Sequence, residues 1–308
     1  MISTHAIRTG IFDNIQSASG KNKLILETRE QLDIDKTLSS GQSFRWTKNE
    51  DGSWLGSLEG NRYLFRQLPG DKYGSRIEYE TSSKENNESK IIKFFDLNTH
   101  YADIFDYFRD DPFLFPAMKS HMGLRVLNQN AWETIISFIL STASNIPRIK
   151  GNIERLCASY GTKRKDMFGE YNDFPPAERL AGASEADFKK LGFGYRAPYV
   201  LNTSIIIAED SAFIPSIGSM SYEEGKKKLC ELPGVGEKVA DCVLLFSFGF
   251  GESFPVDTWI LKVLKKYYLE NESISAKKAA EFGREQFGKY AGVVQQFMFE
   301  YARELNLR

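Results

Sequence analysis

Residues 230–261, CELPGVGEKVADCVLLFSFGFGESFPVDTWIL, decide how this 308-residue chain reads. The run spells helix, tight turn, helix, loop, helix. A short polar helix closes over residues 225–231, and Leu232-Pro233-Gly234-Val235-Gly236 then turns the chain, its glycines supplying backbone freedom that other residues lack. Residues 237–248 resume helical periodicity, with Val239, Ala240, Val243, Leu244 and Phe246 as the apolar stripe. A Gly-rich turn that opens a helix offers unpaired N–H groups to an anion, so Gly234, Val235 and Gly236, with Lys238 beside them, form a candidate grip on phosphate.

Lys238 and Cys242 are four residues apart and share one helical face. Asp257 follows Pro255-Val256 and precedes an apolar run, which predicts an N-cap for the next helix. A lysine, a thiol and a carboxylate can therefore converge. Each also has an ordinary reading: a solvated lysine, a small buried hydrophobe and a capping aspartate that stabilises its helix by about 1 kcal/mol.

The run LPGVGEKVADC with PVDTW downstream resembles the helix-hairpin-helix, Gly/Pro-rich loop, aspartate signature of the base-excision DNA glycosylases. GQSFRW (41–46), NIPRIKGNIERLC (145–157), GFGYRAPYV (192–200) and AGVVQQFMF (291–299) narrow the resemblance to the 8-oxoguanine DNA glycosylases, in the same order along nearly the whole chain. The resemblance implies a bifunctional glycosylase and abasic-site lyase acting on duplex DNA that contains oxidised guanine. Lys238 would attack C1′ of the damaged nucleotide to give a Schiff base, and Asp257 would stabilise the positive charge as the glycosidic bond breaks. A free lysine, with pKa near ~10.4, is a poor nucleophile at neutral pH, so its surroundings matter.

Such an enzyme must extrude its target nucleotide into a pocket. The resemblance puts Gly41, Cys242, Gln295, Phe299 and Trp259 in that pocket. Gly41 would offer a carbonyl to the N7–H that only the oxidised guanine carries, Gln295 would read the Watson–Crick edge, and Phe299 would stack on the base. Cys242 would form a wall paired electrostatically with Lys238. Arg148, Tyr195 and Arg196 match positions that face the orphaned opposite base. Two residues depart from many eukaryotic members: Ala143 replaces an asparagine and Trp259 a histidine. No organic cofactor is expected, but the family often holds a metal cation on hairpin carbonyls, which would be those of Cys230, Leu232 and Val235. Two alternatives stay open: a non-catalytic hairpin module that only binds DNA, and a glycosylase for another damaged base.

Residues 21–82 concentrate β-branched and aromatic residues between turn signals, in KLILE, SFRWTK, SWLGSLEG, RYLFRQL and RIEYE. The remainder has helical spacing, with Ala102, Phe105 and Phe108 on one face of its first helix. The fold class expected is α+β: an N-terminal antiparallel sheet domain over residues 1–120, then an all-helical domain over 121–308 with its hairpin at 225–248, and a DNA-binding cleft between them. Apolar residues make up 42% and no run approaches the ~18 residues of a membrane span, so a soluble intracellular monomer is expected, in the cytoplasm or nucleoid of a prokaryote or the nucleus or mitochondrion of a eukaryote. Residues 1–14 carry no leader pattern. Three scattered cysteines make neither a disulfide framework nor an iron–sulfur cluster. A net charge of −1 means that any DNA-facing field is local, with Lys226–Lys228 and Lys262, Lys265 and Lys266 as candidates.

Overall fold

The computed structural model describes residues 15–17, 23–71, 74–85, 87–269 and 273–307; the leader reading of residues 1–14 lies outside these. Six antiparallel strands form one sheet: β1 (Ile15–Ser17), β2 (Leu24–Thr28), β3 (Thr47–Lys48), β4 (Trp54–Leu58), β5 (Asn61–Asp71) and β6 (Gly74–Thr81). Their order is β1-β2-β6-β5-β4-β3. Alternation explains which face is inside: Trp54, Gly56 and Leu58 point inward from β4, and Gly56 pairs with Tyr63. Gly56 is required by close approach, because a Cβ there would lie 2.3 Å from the Trp46 ring.

The stretch SFRWTK was expected to be a strand, yet only Thr47–Lys48 pair. Phe44 is buried in the helical core and Trp46 in the sheet core, where it stacks on Phe65 at 5.2 Å. The chain crosses between two cores here, and a crossing cannot also lie flat in a sheet. A second crossing runs beside it: Leu124 and Val126 join the helical core, and Leu127 joins the sheet core.

Helices that escaped the sequence reading include Ile34–Ser39, capped by Asp33, Glu88–Phe94 and Leu114–Ser120. In Tyr101–Tyr107 the buried face is Tyr101 and Ile104, continued by Phe108, while Ala102 is exposed. The helix expected across residues 188–200 breaks, because Gly192 and Gly194 adopt φ of +87° and +59°; Ala197–Glu209 forms the helix proper. The helical half also contains a two-stranded hairpin, Lys163–Asp166 with Gly169–Asn172, which corrects the expectation of helices alone. Its strands are too exposed for an apolar signal. Arg62 of β5 holds it, with Nη1 3.2 Å from Asp166 and the guanidinium 4.8 Å from the Tyr171 ring.

One buried charge ties the sheet to the helices. Arg125 is fully buried; it donates to Glu30 at 2.9 Å and to the carbonyls of Phe95, Asp96 and Thr99, with the Tyr101 ring 3.6 Å away. Removing one partner of a buried pair strands the other, at a cost of about 3–5 kcal/mol. Arg125→Met should therefore lower unfolding free energy in urea by about that amount, and adding Glu30→Gln should recover part of it. A loss in the single variant below about 1 kcal/mol would show the pair to be dispensable.

Candidate active site

The hairpin forms, with its first helix at Tyr222–Leu229 rather than over the expected 225–231. A capping box between Ser221 and Glu224 opens this helix, and the second is Glu237–Val243, which widens into a π-turn over Leu244–Phe248. All five residues of the expected stripe are buried. Gly234 sits at φ +81°, and a Cβ there would meet Tyr199 at 2.6 Å. Thr203, on the same helix as Tyr199, donates to the Pro233 carbonyl at 2.8 Å. The helix Ala197–Glu209 thus buttresses the turn, a role invisible to motif reading because its residues lie thirty positions upstream.

Lys226 does not face outward. Its ammonium donates to Asp241 and to the Tyr222 hydroxyl, each at 3.1 Å, and Tyr222 donates to Asp241 at 2.5 Å. Burial raises the Asp241 carboxyl, with Lys226 pulling against it. This triad clamps the two hairpin helices together. The DNA-facing candidate Lys226 is accordingly a structural lysine, and Lys228 is drawn to Glu231 and the Phe213 ring.

Below the hairpin lies a cleft of about 820 Å³. Gly41, Lys238, Cys242, Asp257, Trp259, Gln295 and Phe299 all line it, although they come from four separate regions of the chain. The Lys238 ammonium stands 5.5 Å over the Phe138 ring, and Phe138 stacks on Phe246 at 5.6 Å, so the lysine has an aromatic floor. Asp257 caps Thr258–Tyr267 as expected, taking the N–H groups of Trp259 and Ile260 at 2.9 Å. Both bonds end on Oδ1, and the cap makes no use of Oδ2. Cys242 is 3% exposed; burial pushes its thiol up to about 12, Lys238 pulls it down and Asp257 pushes it further up. At neutral pH it is a neutral S–H on the cleft wall, so it forms no ion pair with the lysine.

Gln295 and Phe299 share a face of Ala291–Glu304, while Phe297 and Met298 turn into the core. Gln295 is 5% exposed, and its Oε1 has no hydrogen-bond partner among the described residues, an expense that a ligand would relieve. Gly41 has φ +76°, and a Cβ there would come 3.2 Å from Ile146 and 3.9 Å from Phe299. Gln42 and Gln296, which motif reading passed over, fix this loop. Gln42 donates to the Arg125 carbonyl at 2.9 Å and accepts from Leu127 N–H at 2.8 Å; Gln296 donates to the Ser40 carbonyl at 3.2 Å.

Arg148 and Tyr195 are exposed near the turn at residues 142–145, and the Tyr195 hydroxyl donates to the Thr142 carbonyl at 3.2 Å. Arg196 sits differently. It is 2% exposed and donates to the carbonyls of Thr142 and Ala143, with Ala143 held at φ +47°. Its donors hold the turn, which makes it a positioning residue rather than a free reader. At the hairpin, the carbonyls of Cys230 and Val235 accept no backbone bond among the described residues. That of Leu232 accepts from Val235 N–H at 3.0 Å and keeps a lone pair. Three neutral carbonyl oxygens suit a hard cation. No group of acidic, histidine or cysteine side chains that could hold a metal occurs among the described residues, and none of their helices is long and apolar enough to cross a membrane.

The 8-oxoguanine DNA glycosylase N-terminal domain matches residues 24–135, and the HhH-GPD superfamily of base excision DNA repair proteins matches residues 136–289. The N-glycosylase/DNA lyase OGG1 of Arabidopsis thaliana is 32% identical, over 88% of this chain and 78% of that protein. The N-glycosylase/DNA lyase of Saccharomyces cerevisiae is 31% identical, over 81% and 71%. Among solved structures, the Clostridium acetobutylicum 8-oxoguanine glycosylase/lyase, bound to double-stranded DNA with cytosine opposite 8-oxoguanine, superposes with a TM-score of 0.89. It is 31% identical and covers 96% of this chain and all of that one.

The thiol environments predict a labelling order. Burial raises all three thiols, Cys157 to about 11 and Cys242 to about 12, but only Cys230 is exposed. Native protein treated with iodoacetamide near pH 8 should gain one adduct, at Cys230, with the other two thiols reacting only after denaturation. Rapid native labelling of Cys242 would overturn its description as a sealed pocket wall.

Proposed function

The chain belongs to the 8-oxoguanine DNA glycosylase family, in the HhH-GPD superfamily of base excision repair proteins, and from that premise we propose how its residues divide the work. The protein is a bifunctional 8-oxoguanine DNA glycosylase and abasic-site lyase. The observation that carries the residue assignment is the convergence of Lys238, Cys242, Asp257, Gln295, Phe299 and Gly41 on one cleft.

In the proposed sequence, the damaged nucleotide leaves the duplex and its base enters against Phe299. The buried amide of Gln295 pairs with the Watson–Crick edge, which supplies the partner its Oε1 lacks. The Gly41 carbonyl accepts N7–H, a proton that undamaged guanine does not have. Asp257 Oδ2 faces the positive charge that develops on the sugar as the bond from C1′ to the base lengthens. The amine of Lys238 forms a bond to C1′ as the base departs, and the adduct opens to a Schiff base. Loss of a C2′ proton then expels the 3′ phosphate and cuts the strand. Trp259 and Cys242 shape the walls, and Arg148 and Tyr195 face the unpaired partner base.

The hairpin turn grips the backbone through the N–H groups around Gly234, Val235 and Gly236. A cation held by the carbonyls of Cys230, Leu232 and Val235 would add positive charge facing a DNA phosphate. The protein works as a monomer on duplex DNA in the compartment that holds the genome.

The test compares duplexes carrying 8-oxoguanine or guanine opposite cytosine. Wild type should release the oxidised base alone. Lys238→Gln should abolish both base release and strand cleavage, and Asp257→Asn should slow base release by about 10²- to 10³-fold while keeping duplex affinity. A folded wild type that binds duplex and releases neither base would sink the catalytic assignment and favour a purely DNA-binding hairpin.

A further inference from the structure

One cation at the base end of the cleft has no part in the chemistry above. Arg303 lines the cleft one helical turn beyond Phe299. Its guanidinium lies 5.4 Å from the centre of the Phe299 ring, within cation–π reach. The head group is also tethered, since Nη1 donates to Glu300 Oε1 at 2.6 Å. Glu300 is the more buried partner, its side chain 15% exposed against 35% for Arg303. Burial pushes the Glu300 carboxyl up and Arg303 draws it down, so each group holds the other in place.

Phe299 itself is only partly buried, unlike its neighbours Phe297 and Met298. A partly buried ring without a partner can turn about its second side-chain torsion, which is broad for aromatic residues. Such turning would blur the plane on which a flat base must land. A planar guanidinium fixed by the carboxylate of Glu300, the residue after Phe299, removes that freedom, and arginine suits the task better than lysine because its head is itself flat.

We infer that Arg303 is a positioning residue for lesion capture: tethered by Glu300, it fixes the Phe299 ring plane that receives the extruded base. The inference rests on the proposed stacking role of Phe299. Strand cleavage at a ready-made abasic site involves no base, so Arg303 has little to contribute to that step. Its effect should separate the two reactions of one site.

The experiment measures single-turnover base release on an 8-oxoguanine duplex and strand cleavage on an abasic duplex, for wild type, Arg303→Ala, Arg303→Lys and Phe299→Ala. All four proteins are first checked for matching melting temperatures. The ratio of base release to abasic-site cleavage should fall on the order of fivefold in Arg303→Ala, with Arg303→Lys in between and Phe299→Ala lower still. An unchanged ratio in Arg303→Ala beside a lowered ratio in Phe299→Ala would overturn the inference and keep the stacking role. An unchanged ratio in Phe299→Ala would remove the premise. A parallel loss in both reactions that shrinks as salt rises would make Arg303 a phosphate contact instead and overturn it as well.

Discussion

The arrangement depends on one side-chain amide. Gln42 is 1% exposed and lies where two chain crossings pass between the sheet core and the helical core. It donates to Ser40 Oγ and the Arg125 carbonyl, accepts from Leu127 N–H, and its own backbone carbonyl accepts from Gln129. A buried amide with its hydrogen bonds made is a strong local constraint, because any rearrangement leaves an unpaired polar group. That constraint sets the position of Gly41, which the N-terminal half supplies to the cleft together with Ser40 and Phe44. Gln296 then ties Ser40 to the last helix, beside Gln295 and Phe299. In the proposed function, lesion recognition and bond cleavage share a cleft because buried amides hold two cores in register.

Electrostatics follows the same economy. With a net charge of −1, the protein cannot rely on a broad positive face for DNA. Several cations that looked available are committed inside: Arg125 to Glu30, Lys226 to Asp241, and Arg196 to the carbonyls of the turn beside the cleft. What remains for the proposed grip on DNA is local and geometric: backbone N–H groups at the hairpin, exposed Arg148, Lys262 and Lys266, and Lys238 at the cleft. Buried pairs of this sort bring little net stability but fix geometry, which is what a site assembled from distant segments requires.

Much of this was legible in the sequence where the cause was local. The turn at 232–236, the stripe from Val239 to Phe246 and the cap at Asp257 depend on residues within a few positions, and they form as read. The strand expected at SFRWTK failed because Phe44 and Trp46 answer to different cores, a fact set by tertiary packing. Lys226 sits in a run of three lysines that looks solvated; only Asp241, fifteen residues on, makes it internal. The hairpin at 163–172 carried no apolar alternation, since Arg62 from the distant sheet anchors it. Tyr199 and Gln42 were missed for the same reason: each touches residues far from it in sequence, which a linear motif cannot place beside it.

The central claim is that one lysine, held over an aromatic floor and beside a neutral thiol, performs the covalent step in a cleft shared with lesion recognition. The most direct measurement is borohydride reduction during turnover on an 8-oxoguanine duplex, followed by peptide mass mapping of the protein–DNA adduct. The account predicts attachment at Lys238 and at no other lysine. Attachment elsewhere, or base release with no adduct at all, would contradict it.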